Sequence, residues 1–249
     1  MKFFIINLKR STQRKENLQK VIKDLFHQNP HLEKELEFHF FEAVDAKNSE
    51  HLAFKEYFND FGSKLIRGGG ALGESEKACF ASHLSLWKKC LELDEPIFIL
   101  EDDITFSEHF AKFILEFKHC PYEFVRLMSL KNPKTKLIDK HFELSFHSVS
   151  GTQGYYLKPS AASKLLYKAK FTFAADDFID RYYFHKVLII IFKPQLITLN
   201  PQGTTITIGK KNIPIRIQRA CLKAVYQCYG VAWTILNLRK IKKSLNFSF

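Results

Sequence analysis

Acidic residues are missing from the last part of the chain. Residues 181–249 hold 12 basic residues (Lys and Arg) but no Asp or Glu, whereas residues 1–180 hold 26 basic and 26 acidic residues. The net charge of +12 therefore comes entirely from the carboxyl-terminal region. A block this one-sided predicts a polyanionic partner, either anionic lipid or nucleic acid, although a basic tail that only keeps a protein soluble has the same composition.

The chain also lacks paired cysteines and long apolar runs. Its five cysteines form no Cys-x-x-Cys pair and are odd in number, which argues against a disulfide framework or zinc cluster and favours a reducing compartment. No stretch reaches the roughly 20 apolar residues of a membrane-spanning helix, and the start MKFFIINLKRS is too short in apolar residues for a signal peptide. We therefore expect a cytoplasmic protein that does not cross a membrane.

What the sequence does have is a 46% share of hydrophobic residues, enough to bury a large core. Apolar runs typical of strands alternate with segments of helical periodicity. The predicted strands cover residues 3–8, 38–44, 97–100, 124–130, 154–157 and 187–191. Helices are predicted over 18–26, 79–91 and 160–169, with a short one after Asp176. This alternation predicts an α/β fold in which helices cover a sheet.

The sequence changes character near PQGTTITIGKKNIP, residues 201–214, which predicts one domain over residues 1–204 and a basic amphipathic tail over 205–249. We expect Pro214 to end one segment and a helix to follow over 215–240. Its apolar residues recur at steps of three and four: Leu222, Val225, Tyr226, Tyr229, Ala232, Trp233 and Leu236. Cations flank them: Arg216, Arg219, Lys223, Arg239, Lys240, Lys242 and Lys243. Such a stripe either lies on an anionic membrane surface or packs on the domain as ordinary core.

Polar loops follow three of the predicted strands: KRSTQR after the first, Asp45 after the second, and Glu101, Asp102 and Asp103 after PIFIL. Ligands of open α/β sheets bind at the carboxyl ends of strands. Three adjacent carboxylates repel one another unless water, a cation or a basic partner absorbs the charge. Carboxylates at a strand end commonly bind Mg²⁺ or Mn²⁺, which bridge to a substrate's phosphates. The triplet therefore predicts either a metal-bound diphosphate or a solvated turn.

Six segments carry a resemblance to a known family. They are FFIINLKRSTQR, FEAVDA, CFASHLSLWKKCLEL, PIFILEDDITF, GTQGYYLKPSAASKLL and ADDF, in this order. Together they resemble glycosyltransferase family 25, the lipooligosaccharide galactosyltransferases. The resemblance implies a GT-A-type nucleotide-sugar-binding fold and inverting transfer of a hexose, usually galactose, from a UDP-sugar to an oligosaccharide. The resemblance does not extend to the tail, residues 205–249. Within the resembling part, Ser75 to Cys79 lack the two glycines that the family commonly has there.

Residue chemistry and the resemblance together assign roles in binding the donor. The expected donor-binding residues are Asn7, Leu8, Arg10, Arg14, Asp45, Ser82, His83 and Asp102. The arginines can meet a diphosphate as planar charged forks, while His83, on an apolar helix face, is alternatively a core residue that orients the acidic loop. Asp103 is the best candidate ligand for a divalent cation, Mn²⁺ or Mg²⁺, and Glu101 contributes less directly.

An inverting transfer also needs a general base that accepts the proton of the attacking hydroxyl. FAADDFID offers Asp176, Asp177 and Asp180, and the resemblance points to Asp176, with Asp177 next. The alternative is that these carboxylates only cap a short helix. Gln153 and Tyr155 of GTQGYY are expected to shape the acceptor pocket.

The leading expectation is an inverting UDP-hexose glycosyltransferase, by resemblance a β-galactosyltransferase, that acts on a terminal sugar of a lipooligosaccharide or LPS core. Such an enzyme would lie on the inner face of the bacterial inner membrane, with residues 210–243 on anionic lipid and no nucleic-acid partner. One rival is a non-enzymatic basic module that binds anionic lipid or nucleic acid. Another, a metal-dependent phosphohydrolase, accounts for the acids but leaves the other five segments unexplained.

Overall fold

The computed structural model describes residues 1–67, 70–200 and 213–245. Within these ranges the strands are β1 Lys2–Asn7, β2 Glu37–Glu42, β3 Ile97–Glu101, β4 Ile104–Phe106, β5 Phe124–Arg126, β6 Thr135–Asp139, β7 Phe142–Ser145, β8 Gly154–Leu157, β9 Ile189–Phe192 and β10 Ile197–Leu199. The α-helices are α1 Thr12–Gln28, α2 Asp60–Arg67, α3 Glu74–Leu93, α4 Phe110–Phe113, α5 Pro159–Lys168, α6 Ala175–Ile179, α7 Tyr182–His185 and α8 Ile213–Ser244. Short 3-10 helices cover Pro30–Leu32, Ala46–Asn48, Glu50–Tyr57 and Ile114–His119.

Most of the strands form one mixed sheet in the order β2-β1-β3-β8-β5-β9-β7-β6, while β4 and β10 pair separately. β1 runs parallel to both β2 and β3, and β8 runs antiparallel to β3 with Gly154 opposite Leu100. The carboxyl ends of β1, β2 and β3 therefore meet the amino end of β8. Loops from four neighbouring strands converge at this end of the sheet, which is where α/β sheets bind ligands.

The strand β3 is buried on both faces, as an inner strand of a helix-covered sheet requires. On one face Phe98 stacks on Phe3 with ring centroids 4.2 Å apart. On the other face Ile99 joins the cluster that contains Phe80 and Trp87 of α3. Burying each large aromatic side chain of this kind contributes about 2–3 kcal/mol. Because α3 is anchored by these rings, its position relative to the end of β3 is fixed.

The α/β class predicted from the sequence is confirmed: helices flank a mixed sheet, and a helix follows at the carboxyl end. β8 matches the predicted strand, and α5 agrees with the predicted helix to within one residue. The strand predicted over 124–130 is too long, because the chain turns at Ser129, whose hydroxyl donates to the carbonyl oxygen of Lys131. The hairpin of β6 and β7 and the pair of β4 and β10 are not predicted.

The carboxyl-terminal helix α8 is longer than predicted, from Ile213 to Ser244. Pro214 lies in its first turn, where a missing N–H costs no helical hydrogen bond, so the helix begins two residues before the predicted start at 215. The predicted boundary between residues 204 and 205 lies in a part of the chain outside the described residues. Each helix in the described ranges is too short or too polar to span a bilayer.

Candidate functional site

A cleft of about 210 Å³ opens at the carboxyl ends of β1, β2 and β3. Ten of the residues predicted for the site line it: Leu8, Arg10, Arg14, Asp45, Ser82, His83, Glu101, Asp102, Asp103 and Gln153. The remaining lining residues are Ile6, Ala43, Val44, Ala46, Ser75, Ala78 and Cys79. Because these strand ends meet at one end of the sheet, the cleft brings together side chains that are nearly 150 positions apart in the sequence.

Asp102 fixes one side of the cleft. Its carboxylate accepts a hydrogen bond from Asn7 Nδ2 at 2.7 Å and from Arg14 Nη1 at 2.8 Å. Asn7 itself is buried at the end of β1, and its side chain is used to hold the acidic loop. The carbonyl oxygen of Leu8 accepts the N–H of Ser11 at 2.7 Å, which shapes the turn into α1. Asp102 thus orients a guanidinium group at the cleft wall.

Asp45 plays the corresponding part on the other side. Its carboxylate forms an ion pair with Arg10 and also accepts the N–H of Lys47 at 2.8 Å. Ser82 of α3 is buried, and its hydroxyl accepts the N–H of Val44 at 2.9 Å, which ties the end of β2 to α3. Each arginine of the cleft is therefore held by its own aspartate, with the guanidinium planes pre-arranged for an anionic ligand.

Asp103 is the least satisfied carboxylate of the triplet. Its Oδ1 atom is buried and has no hydrogen-bond partner among the residues that the structure describes. Burial, and then the charges of Glu101 and Asp102, raise the pKa of Asp103 to about 6. Its carbonyl oxygen accepts the N–H of Asn200 at 2.7 Å, so the backbone of the acidic loop is held. An electron-rich, unpartnered oxygen of this kind suits a cation.

Glu101, the other predicted metal ligand, already has protein partners. Its Oε1 atom accepts the hydroxyl of Thr152 and lies 3.6 Å from Nε2 of His83. Burial raises the pKa of Glu101, but the interactions with His83 and Thr152 outweigh it, and the net pKa is lowered. No three His, Cys, Asp or Glu side chains form a ready-made metal site within the described ranges. A cation would therefore rest on Asp103, with its other ligands supplied by a diphosphate and water.

The structure corrects the predicted role of Tyr155. Its side chain is fully buried, and its hydroxyl lies 2.9 Å from both Nδ1 of His83 and Nε1 of Trp87. A residue without exposed surface cannot contact an acceptor sugar, so Tyr155 instead helps to hold His83 and Trp87 in place beneath the site. His83 is equally buried, and it links Tyr155 to Glu101. This placement matches the alternative in which His83 orients the acidic loop.

The predicted bases lie in the first turn of α6, beside the cleft. Asp176 is partly buried, and its Oδ2 atom accepts the N–H of Gly151 at 3.4 Å. Burial, and then the charge of Asp177, raise the pKa of Asp176. Asp177 is exposed and lies 3.7 Å from Nη1 of Arg181. Neither aspartate is among the residues that line the cleft, but Asp176 has a raised pKa and contacts a loop that leads into the cleft, which suits a general base.

A buried ion pair that the sequence analysis missed holds this region together. Arg126 Nη2 lies 3.2 Å from Oδ1 of Asp180, and Arg126 also donates to the carbonyl oxygen of Gly151. Oδ2 of Asp180 accepts the hydroxyl of Ser148 and the N–H groups of Val149 and Ser150, at distances between 2.7 and 3.0 Å. The available signal was a single charged residue inside the apolar run FVRLMSL.

The 148–153 loop connects the two groups of acids. At its start the loop donates backbone N–H groups to Asp180 and Asp176. At its end the hydroxyl of Thr152 donates to the carboxylate of Glu101, and the carbonyl oxygen of Gln153 accepts the N–H of Glu101 at 2.9 Å. Gly151 has a φ of +78°, and a Cβ atom there would lie 2.1 Å from the side chain of Gln153. Glycine is therefore required for this loop path.

The sequence matches that of a known protein family. Residues 1–179 match glycosyltransferase family 25, described as LPS biosynthesis proteins. The lipooligosaccharide biosynthesis protein lic2B of Haemophilus influenzae is 36% identical over 115 residues, which cover 45% of this chain and 37% of that protein. The human procollagen galactosyltransferase 2 is 30% identical over 122 residues, covering 45% of this chain and 17% of that protein. The chain thus spans well under half the length of these relatives.

Among solved structures, a glycosyltransferase involved in the glycosylation of the major capsid of PBCV-1 superposes with a TM-score of 0.45 at 8% identity, covering 90% of this chain and 98% of that one. The family match rests on the sequence itself. It includes all three strand ends that form the cleft, and it extends through both aspartates of the first turn of α6. The chain belongs to glycosyltransferase family 25.

Proposed function

We propose that the protein is an inverting glycosyltransferase that moves a hexose, specifically galactose, from a UDP-sugar to a terminal sugar of a lipooligosaccharide or LPS core. The observation that carries the proposal is the cleft at the strand ends, where Arg14 pairs with Asp102 of the acidic triplet and Arg10 pairs with Asp45. The names of the relatives support both parts of it, because one is a lipooligosaccharide biosynthesis protein and another a galactosyltransferase. The GT-A-type reading of the sheet is part of the same proposal.

The donor's diphosphate would bind between the two arginines. Arg14 is held by Asp102 and Arg10 by Asp45, so neither side chain must be ordered when the ligand arrives. Preorganised donors of this kind stabilise charge that develops on a leaving group, because little reorganisation remains at the moment of reaction. Leu8 and Ala46, which line the same cleft, would lie against the nucleoside.

Asp176 would act as the general base. The oxygen of the acceptor hydroxyl attacks the anomeric carbon from the face opposite UDP, its proton passes to the Asp176 carboxylate, and the bond from the anomeric carbon to the phosphate oxygen breaks. The sugar is then joined to the acceptor with inverted configuration, and UDP leaves. A raised pKa favours this role, since the efficiency of a base increases as its pKa approaches the working pH.

Asp103 is the residue of this chain that would hold a divalent cation, Mg²⁺ or Mn²⁺. When bound, such an ion neutralises the charge that the diphosphate gains as it departs. The protein's own contribution is to keep the Asp103 oxygen buried and unpartnered and to fix its loop through Asn200. Glu101 supports the loop through His83 and Thr152.

The acceptor would reach the cleft beside the 148–153 loop. Gln153 lines the cleft and is the last residue of the 148–153 loop, which contacts Asp176 through Gly151. An amide side chain can donate to and accept from sugar hydroxyls, which suits an acceptor contact. Because a core acceptor is attached to lipid, the enzyme would work at the inner face of the bacterial inner membrane.

Acceptor-dependent release of UDP tests the proposal. The full-length protein is incubated with UDP-galactose or other UDP-hexoses, with and without a delipidated lipooligosaccharide core, and the linkage in the product is determined by NMR. We expect UDP release from UDP-galactose only when acceptor is present, with loss of release in Asp176→Asn. Release at the same rate without acceptor would indicate a phosphohydrolase instead, and no release from any donor would refute a transferase.

A further inference from the structure

Within the part of α8 whose side chains the structure describes, one side of the helix packs against α7 and the main core. Tyr182 of α7 contacts this face: its hydroxyl lies 2.7 Å from Oγ1 of Thr234, and its ring centroid lies 5.9 Å from that of Trp233. Gly230 lies so close to Tyr183 that a Cβ atom would be 2.8 Å from its ring. About two turns beyond Thr234, Ile241 is buried in the main core. These contacts fix which side of α8 faces solvent.

The opposite face of α8 is apolar and exposed. Its large side chains are between 58% and 83% exposed, and they are Val225, Tyr229, Val231, Ile235 and Leu236. Tyr229 lies at the border of this face, where its ring centroid is 5.6 Å from that of Tyr183. They recur over three turns of the helix and so share one broad side. Monomeric soluble proteins rarely expose so many large apolar side chains together, and such patches mark sites of interaction.

Cations follow directly on this apolar face. Arg239, Lys240 and Lys243 are exposed one turn further along α8. No Asp or Glu occurs anywhere in residues 181–249, so no acid of this region is available to pair with them. An apolar helix face that ends in a cluster of cations fits the boundary between acyl chains and phosphate headgroups.

The exposed face is also joined to the cleft. α8 packs against α2, which itself exposes Phe61 and Leu65. α2 precedes α3, and Ser75 and Cys79 at the start of α3 line the cleft. A surface on α8 that rests on lipid would therefore hold the cleft close to the lipid as well.

We propose that this exposed face of α8, formed by Val225, Tyr229, Val231, Ile235 and Leu236 with Arg239, Lys240 and Lys243, docks on an anionic phospholipid bilayer. A second copy of the chain fits less well, because pairing two such faces brings like charges together without an acid to neutralise them. The docking rests on the proposed function for its purpose, the supply of a lipid-linked acceptor, whereas its test measures binding alone.

The test is co-sedimentation of the full-length protein with vesicles of phosphatidylcholine, with or without phosphatidylglycerol. The apolar variant is Ile235→Asp/Leu236→Asp. Its matched control is Tyr167→Asp, since Tyr167 of α5 is 82% exposed but lies outside the face. The charge variant is Arg239→Gln/Lys240→Gln/Lys243→Gln. All three positions of the apolar and control variants are exposed, so circular dichroism should show an unchanged fold.

We expect wild type and Tyr167→Asp to bind phosphatidylglycerol vesicles and to be released by salt. The charge variant should bind roughly 100-fold more weakly, at about fivefold for each cation removed. The apolar variant should lose at least about tenfold in binding.

Three results would overturn the docking proposal: equal binding by the apolar variant, equal binding to pure phosphatidylcholine, or a wild-type dimer that Leu236→Asp dissociates. UDP release with a soluble acceptor should be the same in all these variants. Its absence in wild type would contradict the proposed function and leave the docking result standing.

Discussion

Asp180→Asn is the substitution whose effect follows most directly from the structure. Both oxygens of the Asp180 carboxylate face only donors: Arg126 on one side, and Ser148, Val149 and Ser150 on the other. An asparagine has one acceptor oxygen and one NH₂ group. Whichever way the amide turns, its NH₂ group must therefore oppose a donor.

The less costly orientation keeps the oxygen toward the three loop donors and turns the NH₂ group toward the guanidinium of Arg126. Arg126 is only 1% exposed, so its charge would stay buried without its carboxylate. Breaking a buried pair from one side costs about 3–5 kcal/mol. For a chain of this size that lowers the melting temperature by roughly 10 °C.

The assay is urea and thermal unfolding followed by circular dichroism, with Asp177→Asn as the control. Asp177 precedes Asp180 by three residues but lies on the surface, so its substitution should change the free energy of unfolding by less than about 0.5 kcal/mol. At temperatures where Asp180→Asn stays folded, we expect kcat to fall about tenfold with little change in the KM for the donor, because the loop that contacts Asp176 loses its anchor. A destabilisation below about 1 kcal/mol would show that the pair does not hold the loop, and the reasoning would fail.

Three further predictions concern single residues. Asp176→Asn should lower kcat by roughly 10²-fold or more with donor binding unchanged, and near-normal turnover would refute Asp176 as the general base. In the wild type, kcat should fall on acidification at a higher pH than an aspartate with the ordinary pKa of 3.8 would give. Asp103→Ala, or exhaustive chelation of the wild type, should abolish acceptor-dependent UDP release without loss of fold, so full activity in both would contradict a cation at Asp103. His185 is buried, its Nδ1 accepts the N–H of Val187, and burial lowers its pKa from 6.5 to about 4. Between pH 6.5 and 4 the unfolded chain therefore binds more protons than the folded protein, and the free energy of unfolding should fall by about 3 kcal/mol as the pH drops through this range. In urea titrations, His185→Gln should reduce this dependence on pH.

The sequence predicted the parts of the fold that depend on local pattern. The helical spacing of Cys79, His83 and Trp87 indicated α3, and the continuous apolar run GYYL indicated β8. The hairpin of β6 and β7 has no such signal. β6 is the outermost strand of the sheet and exposes Leu137, and β7 pairs with β9, nearly 50 residues further along the chain. Pairing over that distance leaves no local trace in the sequence.

The site could be predicted as far as strand ends could be recognised. The acids after β3 and the arginines after β1 converge because their strands are parallel neighbours, a rule that needs no coordinates. Tyr155 could not be assigned in the same way. In a strand buried on both faces, neighbouring tyrosines point to opposite sides, and the sequence does not say which side faces the cleft. Tyr155 points toward α3, where His83 and Trp87 bind its hydroxyl.

The helix α8 shows why a helical pattern predicts a face but not its partner. The predicted stripe joined Trp233 to Val225, Tyr229 and Leu236. In the structure Trp233 packs against Tyr182, Tyr229 contacts Tyr183 at the border of the exposed face, and Val225 and Leu236 are exposed. The cause is that Gly230, Thr234 and Ile241 form the contact side, so the stripe straddles its border; Leu222 and Tyr226 lie outside the described side chains. A helix with apolar residues on two sides needs two apolar partners, and the domain supplies one. The second partner is what the vesicle experiment identifies.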